Sequence, residues 1–243
     1  MSSKKDKGGS KMEGLKRPGG ELAARPLHFI WLVDCSGSMM GEKIQSLNYA
    51  ISQTIPDMRE AAKENPNAQL YIRAITFSEG AKWHIANPTP VEEFEWIDVE
   101  ANGLTDLGKA LELVATQLTM PPMPERALPP VLVLLSDGQP TDQYQKSLEE
   151  LLALPWGKKA VKLAIAIGSD ADTEVLKAFI NNSEMPVLQA NNPGALVKYI
   201  KWASTVTKQV SSPHSQVISQ GETNMPLDLG TLPVLSDDAM DVW

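Results

Sequence analysis

Leu27-His28-Phe29-Ile30-Trp31-Leu32-Val33 runs straight into Asp34-Cys35-Ser36-Gly37-Ser38. A near-continuous apolar run of this kind marks a strand buried on both faces, as in a parallel sheet, since a strand with one wet face would alternate. The run ends at an acid and a Ser/Gly turn. From Glu42 to about Glu64 the apolar residues Ile44, Leu47, Ala50, Ile51, Ile55 and Met58 then fall on one helical face. Pro56 lies inside that pattern and is expected to kink the helix or end it early, because it lacks the N–H for the ladder.

The same alternation continues outward. Leu70 to Phe77 reads as a strand and Lys82-Trp83-His84-Ile85 as a short edge strand. Leu107 to Leu118 reads as a helix, and a Pro-rich connection follows at Pro121-Pro122-Met123-Pro124. Val131 to Leu135 is the next strand and Gln143 to Leu154 a helix. Val161 to Ile167 is a strand, Thr173 to Asn181 a helix, Val187-Leu188 a short strand, and Pro193 to about Gln209 a final helix. Alternating helices and buried strands predict an α/β fold: a doubly wound, mostly parallel, Rossmann-like sheet flanked by helices.

The chain has 243 residues and a net charge of -8, enough length for one α/β domain with a sizeable core. The charge is unevenly spread. Up to Pro26, Lys4, Lys5, Lys7, Lys11, Lys16, Arg17 and Arg25 outnumber Asp6, Glu13 and Glu21. From Ser211 onward Glu222, Asp228, Asp237, Asp238 and Asp241 face no Lys or Arg. Three parts are therefore expected: a disordered basic arm over 1–25, a domain over 26–210, and a flexible acidic tail over 211–243. Within that tail, Ser236-Asp237-Asp238-Ala239-Met240-Asp241-Val242-Trp243 mixes acids with apolar residues, as short docking peptides do. An acidic chain is a poor nonspecific ligand for nucleic acid. The single cysteine, Cys35, allows neither an intrachain disulfide nor a Cys cluster for zinc. The apolar runs are too short to span a bilayer, and no signal peptide is visible, which reads as a cytoplasmic protein without membrane association.

Three polar loops carry the chemistry. Asp34-Cys35-Ser36-Gly37-Ser38 and Ser136-Asp137-Gly138 each leave a buried strand, and Gly103-Leu104-Thr105-Asp106 enters a helix beside them. In open α/β sheets ligands bind beyond the carboxyl ends of the strands, where strand order reverses. Asp34, Ser36, Ser38, Thr105 and Asp137 are hard oxygen donors and match the six-oxygen demand of Mg²⁺, with Mn²⁺ or Ca²⁺ as substitutes. Hydroxyl-rich ligation leaves the metal with much of its charge and a place for one outside carboxylate. The alternative is a Ser-rich turn in which Asp34 only caps the following helix.

These residues carry a family resemblance. Asp34-Cys35-Ser36-Gly37-Ser38-Met39, Gly103-Leu104-Thr105-Asp106-Leu107-Gly108 and Leu134-Leu135-Ser136-Asp137-Gly138 resemble the metal-ion-dependent adhesion site of von Willebrand factor A (VWA) domains. The likeness extends over about Pro26 to Gln209. Met39-Met40-Gly41-Glu42-Lys43-Ile44 and Ser136-Asp137-Gly138-Gln139-Pro140-Thr141-Asp142 resemble the bacterial TerY-type proteins of tellurite-resistance and stress-response clusters. The resemblance implies direct ligation by Ser36, Ser38 and Thr105, with Asp34 and Asp137 acting through bound water. It also implies a partner's Glu or Asp in the sixth position, and a protein-interaction module rather than an enzyme. The narrower likeness implies a Ser/Thr kinase and a metal-dependent Ser/Thr phosphatase as partners in a stress-response or defence assembly. Cys35 departs from the commoner Thr or Val there and reads as a packed small side chain.

Asp106 and Asp142 read first as a helix cap and a turn or cap, with Gly37 and both acids as candidates for supporting the ligands. His28, His84 and His214 are scattered at no catalytic or metal-ligand spacing. No Gly-x-Ser-x-Gly elbow and no phosphate-binding Gly-Lys loop occurs. Two further readings stand beside the docking module: an adaptor presenting clients to an AAA-type ATPase, and a metal-dependent hydrolase, for which no general base is evident.

Overall fold

The computed structural model describes residues 24–211 together with 232–233. The basic arm and the acidic tail therefore lie outside the described residues apart from 24–25, 211 and 232–233, as do His214 and Trp243. Arg25, expected at the end of the arm, already belongs to the first strand: its guanidinium donates to the carbonyls of Arg126 and Ala127.

The strands are β1 (Arg25–Asp34), β2 (Ala68–Ser78), β3 (Gly80–Pro90), β4 (Val131–Ser136), β5 (Val161–Ile167) and β6 (Leu188–Ala190). They form one sheet in the order β3-β2-β1-β4-β5-β6. All neighbours pair parallel except β3, which turns back on β2 as an antiparallel edge. The helices are α1 (Glu42–Lys63), α2 (Leu107–Ala115), α3 (Tyr144–Ala153), α4 (Pro155–Lys159), α5 (Thr173–Ile180) and α6 (Pro193–Ser211). Helix α1 packs on α6, and α2 on α3. Right-handed crossovers leave β1 toward β2 and leave β4 toward β5 in opposite directions, which puts these two pairs on opposite faces of the sheet.

The apolar runs went where parallel-sheet physics sends them. Every residue of β4 and β5 is buried, as is β1 from Phe29 to Asp34. Leu32 and Val33 of β1 pair with Leu134 and Leu135 of β4, so Asp34 and Ser136 emerge side by side at the carboxyl end of the sheet. This is the point where the strand order reverses.

Several expectations need correction. Pro56 neither ends nor shortens α1, which runs its full 22 residues. Pro56 is exposed, and the carbonyl it strips of a partner, that of Ser52, is at a part-exposed position where water can serve it. Helix α2 stops at Ala115, three residues early, because tighter bonds from Gln117 N to Val114 O and from Leu118 N to Ala115 O close it. The edge strand β3 runs 11 residues rather than four, its half-exposed side chains lacking the apolar run that marks a buried strand. The short α4, begun by Pro155, interrupts the chain before β5. No described helix is long and apolar enough to cross a membrane.

On β1, His28 stacks on Tyr71 of β2, with ring centroids 5.8 Å apart. Burial and the nearby Arg73 charge push its pKa from 6.5 down to about 4. The unfolded chain thus takes up a proton that the folded one refuses. This contribution is whole above pH 6.5 and is lost as pH falls toward 4, by on the order of 2–3 kcal/mol. His28→Gln should flatten the fall in urea-unfolding free energy between pH 7.5 and 4.5 relative to wild type.

Candidate functional site

Asp34 is the last residue of β1 and fully buried. Its Oδ1 accepts from the backbone N–H of Ser36 at 2.9 Å, and its Oδ2 from the Ser136 hydroxyl at 2.5 Å. The first bond folds the chain back on itself as an Asx turn and launches a single 3₁₀ turn over Gly37–Met39. Asp34 therefore does not cap α1, the alternative that the sequence left open; α1 begins only at Glu42, behind Gly41.

The three polar loops meet. Gly37 N donates to Gly103 O at 2.9 Å and Asn102 N to Cys35 O at 2.7 Å, which locks the Thr105 loop against the Asp34 loop. A Cβ on Gly37 would sit 3.3 Å from the Gly103 carbonyl, so glycine permits the close approach. Thr105 is itself held from beyond: its N–H donates to the Thr141 hydroxyl at 3.0 Å, and its carbonyl accepts from Thr141 N at 2.9 Å. Thr105 and Asp137 are buried, and Ser38 is exposed to solvent. The Ser36 and Ser38 hydroxyl oxygens are 3.0 Å apart.

Asp137 stands out electrostatically. Both of its carboxylate oxygens are buried and neither has a hydrogen-bond partner among the described residues. A buried carboxylate left without a donor is costly. Its charge also bears on Asp34, whose carboxyl burial pushes up to about 6 against the opposing pull of the Ser136 and Ser36 hydrogen bonds. Two acids so placed, with the Ser36 and Ser38 hydroxyls and the Thr105 loop beside them, offer oxygen donors whose charge a divalent cation would neutralise. The 3.0 Å between the Ser36 and Ser38 oxygens also equals the edge of an octahedron with bonds of about 2.1 Å. Among the described residues no group of three or more His, Cys, Asp or Glu is placed to hold a metal, so a cation at these loops would need their hydroxyls as ligands.

The supporting residues differ from expectation. Asp106 precedes α2 but does not cap it; its carboxylate accepts instead from Gly80 N at 2.7 Å and from the Thr141 hydroxyl at 3.4 Å. The cap comes from a distant loop: Asp142 accepts from Gly108 N at 3.0 Å and Lys109 N at 3.2 Å. Ser136 and Thr141 were not among the site residues expected from the sequence. The first fixes Asp34 and the second fixes Thr105, and both lie in the loop stretch around Asp137. Cys35 is buried and its thiol is pushed up to about 12 by burial, so it stays protonated and unreactive.

Residues 29–201 match the family model of the von Willebrand factor type A domain. Among solved structures, the ArnB paralog VWA2 from Sulfolobus acidocaldarius aligns with a TM-score of 0.54 at 20% identity, over 72% of this chain and 44% of that one. Proximal thread matrix protein 1 from the mussel byssus, solved with a zinc-occupied MIDAS motif, gives 0.57 at 17% identity, over 76% and 46%. The pilus adhesin SpaC from Lactobacillus rhamnosus GG gives 0.61 at 13% identity, over 77% and 31%. At such identities the likeness carries the fold alone, and this chain spans less than half the length of each of these three. No curated protein matches the sequence.

Gly138 holds the loop that carries Asp137 in place. Its φ is +71°, and a Cβ there would meet the Asp172 carbonyl oxygen at 2.3 Å. Gly138→Ala should cost more than about 2 kcal/mol in urea unfolding, through strain and overpacking together.

Proposed function

This chain belongs to the von Willebrand factor type A family, and on that premise we propose that its three loops hold a divalent cation, Mg²⁺ first, which takes a carboxylate from a partner protein. The observation that carries the reading is Asp137: two buried carboxylate oxygens with no donor among the described residues, close enough to the buried Asp34 to act on its charge. Ser36, Ser38 and Thr105 are the direct ligands in this reading, and Asp34 and Asp137 act through bound water. Mn²⁺ or Ca²⁺ can stand in. When bound, the cation supplies a positive, coordinatively open position for one external oxygen anion.

The chain's own residues do the rest. Ser136 and the Ser36 amide fix both oxygens of Asp34, and Thr141 fixes the Thr105 backbone. Met40 and Leu104, 62% and 53% exposed, sit on the loops that carry Ser38 and Thr105. They suit a partner Glu or Asp with apolar neighbours. The domain acts as an interaction module rather than an enzyme in this reading, and among the described residues no histidine lies beside the loops: His28 is at the far end of β1 and His84 is engaged with Ile97 O. The TerY-type likeness of Met39 to Ile44 and Ser136 to Asp142 supports a stress-response assembly with a Ser/Thr kinase and a metal-dependent phosphatase. If instead an AAA-type ATPase is the partner recovered, the adaptor reading replaces it.

Asp137→Asn should raise the stability of the metal-free protein by about 1–3 kcal/mol, since it removes an uncompensated buried charge. The same variant should show no rise in Tm on adding Mg²⁺, while wild type does. In a pull-down from a host lysate, Ser38→Ala, at an exposed position that leaves folding untouched, should lose the partner that wild type captures with Mg²⁺ and releases with EDTA. Capture unchanged by either treatment would place binding elsewhere on the chain.

A further inference from the structure

The three loops are ringed by acids that the cation reading does not use. Glu42 opens α1 four residues after Ser38 and is exposed. Glu79 stands exposed between β2 and β3, and its Cγ lies 3.1 Å from where a Cβ on Gly103 would be, against the loop that carries Thr105. Asp106 and Asp142 are part-exposed beside them. Among the described residues these four carboxylates form no ion pair. Three lysines oppose them. Lys43 pairs with Asp170 at 3.3 Å, Lys109 pairs with Glu112 at 2.9 Å within range of Asp106 and Asp142, and Lys82 bears on Cys35. Two of the three are already answered by carboxylates, so a divalent ion that neutralises Asp34 and Asp137 leaves the surround negative.

An occupant must then meet three demands: one carboxylate for the cation, apolar side chains for the exposed Met40 and Leu104, and positive charge for the ring. The acidic tail fails the third, since Asp237, Asp238 and Asp241 crowd together with no Lys or Arg. The basic arm offers three acids. Asp6 lies among Lys4, Lys5 and Lys7 with no apolar neighbour, and Glu21 has Leu22 beside it but no basic residue within three positions. Glu13 alone of the three has both: Met12 and Leu15 are apolar, and Lys11, Lys16 and Arg17 are basic, all within four positions.

We propose that the segment Lys11-Met12-Glu13-Gly14-Leu15-Lys16-Arg17 docks on the cation site of a second copy of this chain, with Glu13 supplying the carboxylate. This rests on the cation reading above and names its occupant. Reach selects the second copy. β1 begins at Arg25 and carries Asp34 nine residues on, about 30 Å away at 3.3 Å per residue. It is a central strand with helices on both faces, so a segment bound for its own site must pass out over a helical layer about 10 Å thick and back again. Glu13 precedes Arg25 by twelve residues, which span at most about 40–43 Å, short of the roughly 50 Å of that path. Two copies that exchange arms close as a dimer, and one-way docking extends into larger assemblies.

Sedimentation velocity of the full chain at several concentrations tests this. With Mg²⁺ wild type should sediment as a dimer or larger, and with EDTA as a monomer. Glu13→Gln should raise the dissociation constant in Mg²⁺ by at least about tenfold, while Mg²⁺ still raises its Tm. A labelled peptide of residues 10–18 should bind the Glu13→Gln chain in Mg²⁺ and not in EDTA. Adding Glu42→Gln and Glu79→Gln to that chain should weaken the peptide by about three- to tenfold. Wild type that stays monomeric while Mg²⁺ raises its Tm overturns the self-docking and leaves the cation reading standing. Association in Mg²⁺ that survives Glu13→Gln overturns it equally. No rise in Tm with Mg²⁺ removes the cation reading and this proposal with it.

Discussion

Two carboxylates buried at the carboxyl ends of adjacent parallel strands are the constraint around which this end of the molecule is built. Asp34 is the final residue of β1, and Asp137 follows directly on β4. The Val33–Leu135 register that packs the core also sets them close together. The protein answers the first charge with its own donors, a serine hydroxyl and a backbone N–H, and among the described residues leaves the second without any. Mutual repulsion and burial would not favour such a pair for stability alone. The arrangement makes physical sense as a cost carried for binding a cation, in the way functional sites carry cost elsewhere.

Everything that surrounds the pair serves placement. The 3₁₀ turn brings Ser36 and Ser38 to 3.0 Å, a spacing that suits neighbouring ligands of one small ion. The Thr105 loop is tied to the Asp34 loop by two backbone hydrogen bonds and to the Asp142 loop by two more contacts through Thr141. Asp142 holds the start of α2 and Asp106 holds the β2–β3 turn at Gly80. Each loop is thus fixed by the others, so a ligand set drawn from three separate chain segments needs no flexible segment to assemble it.

The core and the end of the sheet at which the polar loops gather were legible in the sequence for simple reasons. Strands buried on both faces must be apolar throughout, so β1, β4 and β5 announce themselves, and a polar loop directly after such a strand falls at the sheet's ligand-binding edge. What escaped was whatever depends on partners distant in sequence. That Asp142 rather than Asp106 caps α2, and that Thr141 orients Thr105, follows from loops meeting across more than thirty residues. Pro56 was misleading because its effect depends on whether the freed carbonyl meets water or core. The edge strand β3 was underread because its side chains are half-exposed and its pairing with β2 carries two register shifts.

The central claim, that Ser36, Ser38 and Thr105 are the protein's direct ligands to a divalent ion, is tested most directly by diffraction from crystals grown with Mn²⁺, whose anomalous signal marks its position. The account expects one strong peak about 2.0–2.3 Å from those three hydroxyl oxygens, with Asp34 and Asp137 reaching it through ordered water. A peak only on exposed carboxylates elsewhere, with Ser36 still hydrogen-bonded to Ser38 and Asp137 still without a partner, would contradict it.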